Sequence, residues 1–196
     1  MSSYVVTDIE TDGPWPGAHS MRSFASVAVT ADGEELGVFE AVLEPLPGSQ
    51  PDPDTYAWFQ DQEGAWAATT EGARPIPAVM DAYVRWVQDL GVSATFAACP
   101  LSFDGSWIDY YLRRFTRYGL AQGPAERDRL FVGPGLCLAS YTAAALGKPF
   151  HDFSPADIPI KWLGDVPHTH HAIDDARGYA NLLRELHQRI SQGHLP

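Results

Sequence analysis

The apolar and polar positions change period several times along the chain, and those changes mark out its elements. Tyr4-Val5-Val6-Thr7 is a short apolar run that closes on Asp8-Ile9-Glu10 and then on the turn residues Thr11-Asp12-Gly13-Pro14, which predicts a first strand. Residues 23–30 and 36–44 read as a second and a third strand, and Asp32-Gly33 between them is a hairpin signal, so a three-stranded antiparallel meander is expected. Residues 45–54 hold Pro45, Pro47, Gly48, Pro51 and Pro53, too many breakers for regular structure. Asp54 or Thr55 then caps a helix carrying Tyr56, Trp58 and Phe59. Val79, Tyr83, Trp86, Val87 and Leu90 recur at helical spacing from Pro75 to a stop at Gly91. A short buried strand at 94–98 runs into a sharp turn over 100–105. A helix over 106–118 follows, with Trp107, Tyr111 and Phe115 four apart beside Ile108 and Leu112. Residues 136–146 read as helix, with a fifth strand at its start as the alternative, and 155–163 as short helix and loop. The last helix spans about 171–190, with Ile173, Ala176, Ala180, Leu183 and Ile190 on its apolar face.

Composition narrows the class. The 196 residues are 45% hydrophobic and only 19% charged, which predicts one folded α/β domain over 1–196 rather than a disordered chain. No run is long enough to cross a bilayer, and the start lacks a basic-then-apolar leader, so no membrane association and a cytoplasmic location are expected. Cys99 and Cys137 sit in apolar surroundings away from metal-ligand spacing and read as reduced core thiols. The net charge of -12 argues against a protein that coats duplex nucleic acid through a basic surface. It leaves room for an enzyme that gathers carboxylates around metal ions. One local basic strip exists: Arg113, Arg114, Arg117, Arg127 and Arg129 place five of the 13 Lys and Arg within 17 residues. It reads either as a solvated helix face and loop or as a phosphate track.

Asp8 and Glu10 carry the first chemical signal. Side chains alternate along a strand, so both carboxylates point the same way, about 6.6 Å apart along it. Burying two like charges side by side is strongly unfavourable unless a cation or several donors lie between them. A metal is one reading, and a strand end running into a solvated turn is the other. Asp104, at the strand-to-helix turn, is similarly a metal ligand or an N-cap. Asp174 and Asp175, with His170 and His171 just before them, open the last helix.

Taken in order, Asp8-Ile9-Glu10-Thr11, Phe103-Asp104 and His170-x-Ala172-x-x-Asp175 resemble the three motifs of the DEDD exonuclease superfamily. The histidine resembles that of its DEDDh branch, to which ribonuclease T, oligoribonuclease and the proofreading subunits belong. The stretches 100–107 and 169–177 look further like a small bacterial group of 3'-to-5' exoribonucleases, some named as polyadenylate-specific. The resemblance spans residues 8 to 175 and implies a ribonuclease H-like fold, a mixed sheet of three antiparallel then parallel strands flanked by helices. It implies hydrolysis of RNA from single-stranded or overhanging 3' ends, with two Mg²⁺ ions for which Mn²⁺ can substitute. Asp8 would bridge the two ions, Glu10 and Asp175 would bind one of them, and Asp104 would act mainly through the other's water shell. His170 would take the proton of the attacking water, a role that suits imidazole. The motif spacing selects His170 over His171 and Asp175 over Asp174. A zinc site of Asp165, His168, His170 and His171 is a competing reading, but it leaves Asp8, Glu10 and Asp104 unexplained. For substrate contact the candidates are Thr11 and Gly13, which follow the first motif, with Phe103, Trp107 and Trp58 as stacking rings, or else as core. The sugar preference stays open, with DNA or very short oligonucleotides as alternative substrates. A non-catalytic nucleic-acid-binding module is a further alternative, and a homodimer is implied by resemblance alone.

Overall fold

The computed structural model describes residues 2–62, 64–120, 123, 128–166 and 169–193. Its centre is β1 (Ser3–Thr11), whose residues are buried except for half-buried Tyr4 and Glu10. Such burial on both faces needs a neighbour on each edge and helices above and below. β1 pairs antiparallel with β2 (Met21–Thr30) on one side and parallel with β4 (Ala94–Ala98) on the other. β3 (Glu35–Val42) extends the sheet beyond β2, and the two-residue β5 (Leu136–Cys137) lies parallel beside β4, giving the order β3-β2-β1-β4-β5. The fold is therefore the expected ribonuclease H-like mixed sheet. The hairpin joining β2 to β3 turns at Gly33, whose φ of 89° is open to glycine at no steric cost.

Alternation in β1 sends Val5 and Ile9 to one face and Val6 to the other. The first face packs on α3 (Ile76–Asp89) and α4 (Leu101–Phe115), around Phe24, Tyr83, Phe96 and Trp107. Thr7 shares that face, where its hydroxyl meets Ser26 at 2.6 Å and Ser26 meets the Tyr83 hydroxyl at 3.2 Å, so the buried polar groups pair with one another. The second face packs on α5 (Leu138–Ala145) and α6 (Ala172–Ser191), with 3₁₀ turns at Phe150–Asp152, Pro155–Asp157 and Ile160–Trp162 alongside. Asp8 and Glu10 have the parity of Val6 and so face α6. No described helix is long and apolar enough to cross a membrane.

Several expected boundaries move. The helix expected from residue 106 begins at Leu101, because Pro100 stands at the N-cap, where a missing N–H leaves no hydrogen bond unmade. Gly105 lies inside that helix: a Cβ there would meet Leu101 and Leu120 side chains at 3.1 and 3.2 Å, so its smallness serves packing and not a turn. α1 (Pro53–Asp61) is capped by Asp52 and not by Asp54 or Thr55, the Asp52 carboxylate accepting from the Thr55 N–H at 2.9 Å. A further short helix, α2 (Ala65–Ala68), has no counterpart among the expected elements. The alternative of a strand ahead of α5 is the arrangement found, as β5.

Candidate metal centre

Three separate stretches deliver four carboxylates and a histidine to one end of the sheet. Asp8 is buried near the C-terminal end of β1, and Glu10 follows on the same face, half buried. Asp104 is buried in the first turn of α4, just beyond β4, where its carboxylate accepts backbone N–H bonds from Cys99 and from its own residue. Asp175 is buried in the first turn of α6. Both aspartates thus sit at helix N-termini, whose positive dipole ends favour negative charge. The Nε2 or Nδ1 of His170 and carboxylate oxygens of Glu10 and Asp175 all lie within 4.8 Å of one another. His170, just before the N-cap residue His171, has φ at 57°, a left-handed backbone uncommon outside glycine, and His171 itself is exposed.

The electrostatics of this cluster are adverse in the absence of a cation. Asp8 is pushed well above the usual carboxylate range, first by burial and then by repulsion from Asp104, Glu10 and Asp175. Glu10 is pushed up to about 8 by burial and by Asp175 and Asp104, and Asp104 to about 8 by burial, against which its two N–H bonds are insufficient. Among the described residues no Lys or Arg pairs with Asp8, Glu10 or Asp104, and Asp104 Oδ2 is buried without a hydrogen-bond partner. An orphaned buried carboxylate oxygen beside other carboxylates is what a cation would satisfy. An oxygen-rich donor set with a single imidazole suits a hard ion such as Mg²⁺ or Mn²⁺ better than zinc. The competing zinc group does not form among the described residues: His170 lies with Glu10 and Asp175, His171 is exposed, and His168 is outside the described residues. Asp174 turns aside, accepting a 2.6 Å hydrogen bond from the Thr169 hydroxyl.

The expected substrate contacts divide. Trp58 is 40% exposed on α1 and sets its ring edge-to-face on His170, with centroids 4.8 Å apart. Phe103 is 39% exposed one residue before Asp104. Trp107 is a correction: at 0% exposure it is part of the core beneath α4 and presents no face to a nucleotide. The close approach at Gly13 is made by the protein itself, since a Cβ there would lie 2.2 Å from the His19 ring. The Thr11 hydroxyl is engaged by the Gly13 carbonyl at 2.9 Å.

Two supporting groups escape the sequence pattern. Asp12 reads there as part of a solvated turn, yet it is fully buried, accepting from the Ser20 N–H at 2.6 Å and pairing with buried Arg22 at 3.4 Å. Its carbonyl takes the Asp52 N–H at 2.7 Å, so this buried brace ties the loop after β1 to the cap of α1 and thereby to Trp58. Tyr179, one turn after Asp175, hydrogen-bonds the Cys99 sulfur, and its hydroxyl is held protonated by burial and by the neighbouring thiol and carboxylates. Its i+4 offset from Asp175 is the signal that could have found it.

Comparison with solved structures places the fold. The nuclease domain of 3'hExo, described as a DEDDh family member bound to rAMP, superposes with a TM-score of 0.68 at 14% identity, covering 100% of this chain and 95% of that one. The chain has the fold of the DEDDh exonucleases. Exonuclease I of E. coli in complex with a dT13 oligonucleotide matches with a TM-score of 0.62 at 15% identity, over 98% of this chain and 42% of that one. Exonuclease I of Methylocaldum szegediense matches at 0.63 and 17% identity, over 98% and 43%. No protein-family model and no curated protein matches the sequence.

Proposed function

We propose that this protein is a metal-dependent 3'-to-5' exonuclease acting on RNA 3' ends. The observation that carries the reading is the convergence of Asp8, Glu10, Asp104 and Asp175 with His170, a cluster whose charges oppose one another without a bound cation. The fold shared with 3'hExo and exonuclease I supports it. RNA is favoured by the motif resemblance and by end-to-end similarity to 3'hExo, whose structure holds rAMP, whereas the match covers less than half of exonuclease I.

Asp8, Glu10, Asp104 and Asp175 would hold two Mg²⁺ ions. Bound there, the ions would supply charge stabilisation for the attacking and leaving oxygens of an in-line phosphoryl displacement. The protein's own residues do the rest. His170 stands beside Glu10 and Asp175, where its ring can accept the proton of an attacking water. Trp58 holds the His170 ring from one side, and Phe103 offers a face on which a terminal base can stack.

His170→Ala is expected to lower kcat by about 10²–10⁴ with a smaller change in KM, the range for loss of a positioned general base. His171→Ala is expected to stay near wild type. Equal losses in both variants would move the role away from His170. The reading as a whole is tested with 5'-labelled RNA and DNA, single- and double-stranded, incubated with Mg²⁺, Mn²⁺ or chelator. Stepwise shortening from the 3' end of single-stranded RNA, faster than of DNA and absent in chelator, is expected. Shortening that persists in chelator, or none with either metal, would overturn it.

A further inference from the structure

The basic strip noted in the sequence is split by the fold. Arg117 pairs with Asp128 on the surface, Arg129 is exposed, and Arg127 is outside the described residues. Arg113 and Arg114 instead close the end of α4 that is remote from Asp104. Phe103, Ser106, Tyr110 and Arg114 follow the i, i+3, i+7, i+11 row of one helix face, about 16 Å long. Ser106, Tyr110 and Arg114 of that row, with Asp109 and Arg113, form one wall of an open groove of about 640 Å³, and Pro16 forms the other. The loop carrying Pro16 leaves β1 just after Glu10, and Gly17 in that loop brings its backbone against the Tyr110 hydroxyl. The helix wall therefore runs back along α4 toward Asp104, and the loop wall back along the chain toward Glu10.

The groove has the surface chemistry of a strand-binding track. The Arg114 guanidinium lies 5.6 Å from the Tyr110 ring and 5.7 Å from the Phe115 ring, and it donates to the Tyr110 hydroxyl. Arg113 and Asp109 form an ion pair at 3.0 Å that cancels within the groove, so Arg114 leaves it net positive on a molecule of net charge -12. Trp15, 58% exposed, stands beside Pro16 in the same loop. A ring beside a guanidinium can stack on a base and meet a phosphate without reading sequence.

We propose that this groove holds the nucleotides preceding the 3'-terminal one as a single strand, with Tyr110 as a stacking platform and Arg114 as a phosphate contact. The proposal rests on the exonuclease reading only in seating the 3' end at the Asp8 end of the groove. The test is equilibrium binding in chelator, by fluorescence anisotropy, of 5'-labelled RNA and DNA from dinucleotide to dodecanucleotide. Wild-type affinity should rise with length for both sugars. Tyr110→Ala should weaken dodecanucleotide binding roughly tenfold, while Tyr110→Phe, which keeps the ring, retains it. Arg114→Gln should lower the slope of log affinity against log salt by about 0.7. Dinucleotide binding should change little in any variant. A wild-type affinity independent of length, or full dodecanucleotide affinity in both Tyr110→Ala and Arg114→Gln, would overturn the groove. Length-dependent binding lost in these variants, together with wild-type protein that shortens nothing in Mg²⁺ or Mn²⁺, would uphold the groove and reject the exonuclease reading.

Discussion

Asp8→Asn is expected to yield a protein that melts higher than wild type in chelator and no longer shortens 3' ends. Asp8 is buried on the central strand, and its ionised form faces Asp104, Glu10 and Asp175 with no basic partner among the described residues. Asn keeps the shape and removes the charge, so about 2 kcal/mol of repulsion and desolvation is relieved. At about 2–4 °C per kcal/mol for a domain of this size, the melting midpoint rises by roughly 4–8 °C. Loss of the proposed bridging carboxylate removes several kcal/mol of transition-state stabilisation, a rate loss of at least about 10³. Thermal melts in chelator and end-labelled trimming assays check the two halves separately. A lower midpoint would mean that Asp8 is satisfied by protein donors, and near-normal trimming would remove it from the reaction.

The parts of the fold that are legible in the sequence are those whose pattern is local. β1, β2 and β3 follow from alternation and the Asp32-Gly33 turn, and α3 and α6 from apolar stripes ending in recognisable stops. What local pattern does not convey is how distant segments meet. Gly105 looks like a turn residue until Leu101 and Leu120 are seen packed over it. Asp12 looks solvated until Arg22, ten residues on, and Ser20 close around it. Trp107 has both a core and a stacking reading, and only its burial decides between them. The site is legible for a different reason. Each carboxylate alone has an ordinary reading, Asp8 and Glu10 as a strand end and Asp104 as an N-cap, and the signal lies in the set. It is the resemblance of their ordered set to the DEDD motifs that brings Asp104 and the 170–175 segment into relation with Asp8 before any geometry is known.

That placement of charge has a consequence for stability as a function of pH. Glu10 and Asp104 have folded-state values near 8, against ordinary values of 4.5 and 3.8. Between those limits the folded chain holds protons that the unfolded chain has released, so stability in chelator must fall as pH rises. Their stabilising share is complete below about pH 4 and lost as the pH climbs through about 8. Every tenfold difference in proton affinity between the folded and unfolded chain is worth about 1.4 kcal/mol, so even part of such a difference is measurable. The chelated protein is therefore expected to lose several degrees of melting midpoint from pH 5.5 to 8, a trend opposite to that of a protein whose carboxylates are held by Arg or Lys. Mn²⁺ should reverse it, because a cation binds the ionised carboxylates and its binding releases their protons. The stabilisation by Mn²⁺ should then grow with pH, by the mass-action relation between ligand concentration and affinity. Melting curves across this range, with chelator and with Mn²⁺, read both slopes. In Asp8→Asn the chelator slope should flatten, since one repelling charge is gone. A chelator midpoint that rises with pH, or an Mn²⁺ shift that is constant across it, would show that the four carboxylates are neutralised by the protein and that no ion is needed to hold them together.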